Sequence, residues 1–157
     1  MDTTDNELAE LSRKLNQKTD SLNNTFTSFN EKLATLKIGV EAWVTVEEGD
    51  PFYDYEKDEH GNFPLHAETW LGYCRFERGW ELAVRTVTRQ ETGNFGFQGE
   101  MIYKTVEATD AIPLLNASRD IRVKAIEFIP RLLDAIKEKA QEILQSIEKA
   151  EKAAEQL

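Results

Sequence analysis

The sequence predicts an α+β fold: an antiparallel four-stranded β-meander flanked by long N- and C-terminal amphipathic helices that pair antiparallel, in the manner of a coiled coil. Three observations carry this. Apolar residues recur at helical spacing near both ends of the chain, the period drops to two in the middle, and glycine-bearing reversals punctuate that middle segment. With 157 residues and 18.0 kDa, the chain is expected to be one domain. Its parts are a helix over 1–38, a meander over 39–108 with a long acidic loop at 48–66, and a helix over 116–157.

The first helix opens on Thr4-Asp5-Asn6-Glu7, which has capping-box spacing, and Asp2, Asp5, Glu7 and Glu10 suit the positive end of the helix dipole. Leu8, Leu15, Leu22, Phe29 and Leu36 then recur at every seventh position. Leu11 fills an early intermediate position, and Phe26, Leu33 and Val40 form a companion row. Gly39, beside Lys37, is expected to close the helix in a left-handed conformation.

Strand periodicity follows. Val40, Ala42, Val44 and Val46 alternate with Glu41, Trp43, Thr45 and Glu47. A second strand sets Trp70, Cys74 and Phe76 on one face and Leu71, Tyr73 and Arg75 on the other. Arg78-Gly79 turns the chain into a third strand through Trp80, Leu82, Val84 and Thr86. Thr92-Gly93-Asn94, with Gly96 and Gly99, predicts the next reversal, leading to a fourth strand over Met101–Glu107.

The C-terminal helix is predicted to begin near Asn116–Ser118. Its seam, Ile129, Leu133, Ile136, Ala140, Ile143, Ile147, Ala150, Ala154 and Leu157, alternates steps of four and three throughout, as a coiled coil does. Pro130 removes one backbone hydrogen bond and predicts a kink or a break into two helices. Antiparallel pairing would set Leu22 near Ala140–Ile143 and Phe29 near Leu133–Ile136. The helix seam is thus assigned to Leu15, Leu22, Phe29, Leu36, Ile129, Leu133, Ile136, Ile143 and Ile147. An extra row of Phe26, Leu33, Ile121, Phe128 and Leu132 needs a further cover: the sheet near it, a second chain beyond the sheet's reach. A homodimer through the helices is the expected assembly.

Charge narrows the function. The net charge is -10, and residues 41–110 hold 15 acids against 6 bases. Such a surface opposes the phosphate neutralisation that nucleic acids and anionic membranes require, so neither is an expected partner. Apolar runs are short and mean hydropathy is -0.55, which predicts no membrane span. The N-terminus has neither the basic nor the apolar stretch of a signal peptide, and one cysteine allows no internal disulfide. Together these predict a cytoplasmic protein.

Chemistry-bearing motifs are weak. Asp54-x-Glu56-x-Asp58 begins like a calcium loop, but Glu59 and Leu65 stand where the glycine and the bidentate acid belong. His60, His66, Asp58, Glu59, Glu68 and Cys74 have no diagnostic ligand or nucleophile spacing, and Cys74 reads as a buried strand thiol. Trp70 and Trp80 read as cross-strand core aromatics, with a pocket lining as the alternative. No cofactor, metal site or catalytic set is therefore expected.

The loop is more informative. Segment 47–59 holds seven acids and one lysine beside Phe52, Tyr53 and Tyr55. Aromatics that pack on the sheet while carboxylates face outward would suit a basic protein partner, and Phe52, Tyr53, Tyr55, Glu56 and Asp58 are the candidate partner-binding residues. The sequence thus points to a non-enzymatic interaction or assembly module, immunity- or inhibitor-like in its acidity. The alternative is a small-molecule or divalent-cation binding domain, or a small enzyme, with a pocket between sheet and loop.

Overall fold

The computed structural model describes residues 2–54 and 63–157. Its elements in chain order are α1 (Thr3–Leu36), β1 (Ala42–Glu48), β2 (Leu65–Phe76), β3 (Gly79–Phe95), β4 (Met101–Ala108), β5 (Ile112–Pro113), α2 (Arg119–Ala125) and α3 (Ile129–Glu155). The fold is α+β. The strands form an antiparallel meander in the order β1-β2-β3-β4, and the N- and C-terminal helices contact each other.

The long strand β3 is the spine. Its first half pairs with β2 from Phe76↔Gly79 onward, and its second half also carries β4. A strand that period-two reading does not reach, β5, pairs with Ala83 and Val84 on the edge that β4 vacates. Two residues are too few to show an alternation. The edge beyond β5 is closed by α1: Asn30 Oδ1 accepts the Leu82 N–H at 2.8 Å, satisfying a strand donor that has no ladder partner there.

Direct cross-strand partners share a face, so the register sorts the side chains. Ala42, Val44, Leu71, Tyr73, Leu82 and Val84 lie toward the helices. They form one core with Phe26 and Leu33 of α1, Leu114, and Ile129, Leu132 and Ile136 of α3. Trp43, Trp70, Cys74, Arg85 and Arg89 lie on the opposite face. Trp70 and Trp80 therefore part company. Trp80 stacks on Tyr73 on the helix side at 5.5 Å, and Trp70 belongs to the open face.

Several boundaries differ from expectation. Helix α1 starts at Thr3 with Asp2 as N-cap and no side-chain cap bond, so the Thr4–Glu7 box is not used. Its left-handed closing residue is Lys37, at φ 52°, two residues before Gly39. The β2 and β3 strands run further than their strongest alternation, and Thr92–Asn94 stays inside β3. The reversal falls at Gly96–Glu100, where the Gly96 N–H donates to the Glu100 carbonyl at 2.8 Å. Gly93 is tolerated in the strand because the Phe63 ring occupies the space a Cβ would fill.

The break near Pro130 occurs as two helices. A 3-10 turn over Ile126–Phe128 separates α2 from α3, and Pro130 sits in the first turn of α3, where its missing N–H has no helical partner to lose. Ser118 caps α2 through its hydroxyl, which accepts the Ile121 N–H. The direct helix–helix hydrogen bonds are made at α2: Arg119 donates to Asn16 Oδ1 at 2.9 Å and Arg122 to Asn23 Oδ1 at 2.6 Å. Beside Leu22, the Asn23–Arg122 bond sets α2 against α1, while α3 lies over β1 and β2. The extra row is the one the sheet covers, with Phe26, Leu33 and Leu132 buried and Ile121 and Phe128 half-buried.

Candidate functional site

Two surfaces carry the sequence-predicted residues, and a third was missed. The first is the helix seam. Leu22 and Phe29 pack against the core, and Ile129 and Ile136 are within it. Leu36 and Leu133 lie at the exposed margin of this packed region. Away from the sheet the pattern changes. Leu8 (59% exposed), Leu11 (61%) and Leu15 (49%) on α1, and Ile143 (42%) and Ile147 (50%) on α3, face solvent. The groove along Ile143, Ile147 and Ala150 is walled by α3 side chains alone.

The second surface is the loop entrance. After β1 the chain stays zipped to β2: the Gly49 N–H donates to the Ala67 carbonyl at 2.7 Å, and Phe52 and Leu65 exchange both backbone bonds at 2.9 and 2.7 Å. This bridge holds Phe52 (43% exposed) and Tyr53 (53%) at the edge of the sheet. Tyr55, Glu56, Asp58 and His60 lie outside the described residues. A cleft of about 300 Å³ opens beside the bridge, lined by Phe52, Asp54, Leu65, Gln90, Lys104 and Glu107 among others.

His66 and Glu68 do not join Asp54 at this cleft. They lie on the opposite face of β2, where His66 Nε2 sits 3.0 Å from Glu91 Oε1 and the buried Glu68 meets Arg89 at 3.3 Å. Among the described residues, no three His, Cys, Asp or Glu side chains gather as a metal-holding group. Among the described residues, no helix is long and apolar enough to cross a membrane.

Cys74 is buried on β2. Burial first, then the nearby Glu41, pushes its thiol up to about 11, against the opposing pull of Arg85. Burial and a scarce thiolate should therefore slow the reactions of the native thiol, since the thiolate is the nucleophile. At pH 8 we expect an aromatic disulfide reagent to label native protein far more slowly than urea-unfolded protein. The raised folded value also fixes the sign of a pH effect: the unfolded thiol ionises first, so stability is kept below about 9 and lost as pH climbs towards 11. A Cys74→Ala variant should lose less stability than wild type over that range, because Tyr73, also raised by burial, still titrates in both. Equal alkaline losses would contradict the assignment.

The third surface, on the open face of the sheet, was not singled out from sequence. Trp43 lies flat over Gly72, where a Cβ would fall 2.2 Å from the ring. The Arg85 guanidinium stands 4.2 Å from the centroid of Trp43 and 5.2 Å from that of Trp70. Both indoles are pinned, Trp43 Nε1 donating to Glu41 at 2.7 Å and Trp70 Nε1 to Glu68 at 2.8 Å. Arg89 extends the layer over Tyr103 at 4.6 Å. The legible signal was parity: Trp43 on one strand, with Glu41 just before it, Glu68 and Trp70 on the next, and Arg85 and Arg89 on the third all fall on one face once the register is known.

Comparison of the chain with protein-family models, with curated proteins and with solved structures gives no significant match.

Proposed function

We propose that this protein is a non-enzymatic assembly module that associates with a second copy of itself through the distal parts of its two long helices. The observation that carries this reading is the exposed seam. Residues 141–157 of the C-terminal helical region are all solvent-facing, yet they keep the four-three apolar spacing of the buried proximal part without interruption. That segment is roughly 25 Å of helix at 1.5 Å per residue. The first sixteen or so residues of the chain repeat the situation, with Leu8, Leu11 and Leu15 exposed in one stripe. A seam of knobs has its energetic use in the holes of another helix. The two uncovered stretches are of matching length, so two copies can cover both in a closed, symmetric bundle. A second proposed role, compatible with this one, is binding of a basic protein through Phe52, Tyr53, Tyr55, Glu56 and Asp58.

Amide hydrogen exchange tests the reading. In a lone chain the backbone of 141–157 is an uncovered helix end that frays and exchanges fast. Covered by a second copy, its protection rises with protein concentration. We expect markedly slower exchange of 141–157 at about 100 μM than at about 1 μM, with the core strand β3 unchanged. Identical exchange at both concentrations would remove the support for self-association.

A further inference from the structure

We propose that the open face of the sheet is a second docking surface, centred on Arg85, that takes a single carboxylate side chain from an otherwise apolar segment of a protein partner. The site is built before any ligand arrives. Gly72 lets Trp43 lie down on the sheet, Glu41 and Glu68 fix the two indoles by their N–H groups, and the guanidinium stands beside both rings. Two carboxylates of this face are held by other partners. Glu41 serves Trp43, and Glu68 serves both Trp70 and Arg89.

Arg85 itself is left without an acceptor. Among the described residues it has no hydrogen bond and no ion pair, and its Nε is buried with no partner. A guanidinium packed against aromatic rings still offers its in-plane N–H fork, the geometry that a carboxylate matches with two parallel bonds. Tryptophan and arginine together are also the residue types that dominate binding energy at protein interfaces.

Charge selects the occupant. Glu68 and Glu81 share this face, with Glu41 bonded to Trp43 and Glu91 to His66. Repulsion therefore grows with each negative charge on the ligand and is least for a single carboxylate flanked by apolar neighbours. The two tryptophans supply apolar contact on either side. A short peptide segment with one acid between aliphatic residues fits these terms, and nucleic acid or free phosphate does not.

The test uses the full chain and a capped Gly-Leu-Glu-Leu-Gly peptide, with the same peptide carrying Gln in place of Glu. Side-chain N–H signals of Arg85, Trp43 and Trp70 are followed by nuclear magnetic resonance at constant ionic strength. We expect saturable shifts with the Glu peptide, and binding at least about tenfold weaker for the Gln peptide, the loss of one charge-assisted pair. Arg85→Met should abolish the tryptophan shifts, and Arg85→Lys, which keeps charge but not the fork, should weaken them severalfold while serving as the folded control. The inference is overturned if the Gln peptide binds equally, if Arg85→Lys binds like wild type, or if no saturable shift occurs. Tighter binding of inorganic phosphate than of the Glu peptide would overturn it in favour of a phosphate ligand.

Discussion

Phe26→Ala is expected to cost about 3–5 kcal/mol of folding stability, the range for deleting a fully buried phenylalanine and leaving a cavity. Phe26 has no exposed surface and belongs to the one core cluster that joins α1, the sheet and α3. One turn on, Asn30 closes the β3 edge at Leu82, so loosening α1 also frees a strand donor. A loss of that size is a large share of the 5–15 kcal/mol typical of a domain, and the urea midpoint should fall steeply. Val123→Ala, at an exposed position on α2, is the control and should stay within about 0.5 kcal/mol of wild type. If both variants melt alike, α1 does not hold the sheet as the structure places it.

The second large effect is on assembly. Replacing Ile143 and Ile147 together by Lys should convert the protein to a monomer at concentrations where wild type associates. Each isoleucine withdrawn from an interface forfeits up to about 1.5–3 kcal/mol of burial, and a two-fold interface loses it twice. A micromolar dimer rests on only about 8 kcal/mol, so the pair of substitutions moves dissociation beyond the millimolar range. Folding of the domain should be unaffected, because both positions are about half exposed in the single chain. A double variant that associates like wild type, with an unchanged circular dichroism spectrum, would place the interface elsewhere.

The fold class was readable because both periods are long and clean, and which helical row meets the sheet was not. An apolar stripe on a helix is broad enough to hold two adjacent rows. In α1 the sevenfold row of Leu15, Leu22, Phe29 and Leu36 forms the flank, and the centre is Thr19, Phe26 and Leu33. Thr19 hides that centre from a hydropathy reading. It is buried nonetheless, because its hydroxyl donates to the Leu15 carbonyl at 2.7 Å. The reversal was displaced for a similar reason. Gly93 looks like turn chemistry in sequence, but its bare backbone makes room for Phe63, a contact between residues thirty positions apart.

Of the candidate loop residues, Phe52 is tied to Leu65 by its backbone, while its ring stays largely exposed at the sheet edge. The open-face layer was invisible as a unit because its parts come from three strands. Only the pairing Trp43↔Gly72 and Trp70↔Arg85 brings them side by side. Weak local motifs therefore said little about it, and cross-strand register said nearly all.

Self-association through the distal helices is tested most directly by the mass of the wild-type chain in solution, measured by multi-angle light scattering at about 100 μM. The exposed seam predicts a mass of about 36 kDa, twice the 18.0 kDa chain, falling towards that of one chain on dilution. A mass of one chain at that concentration would contradict it.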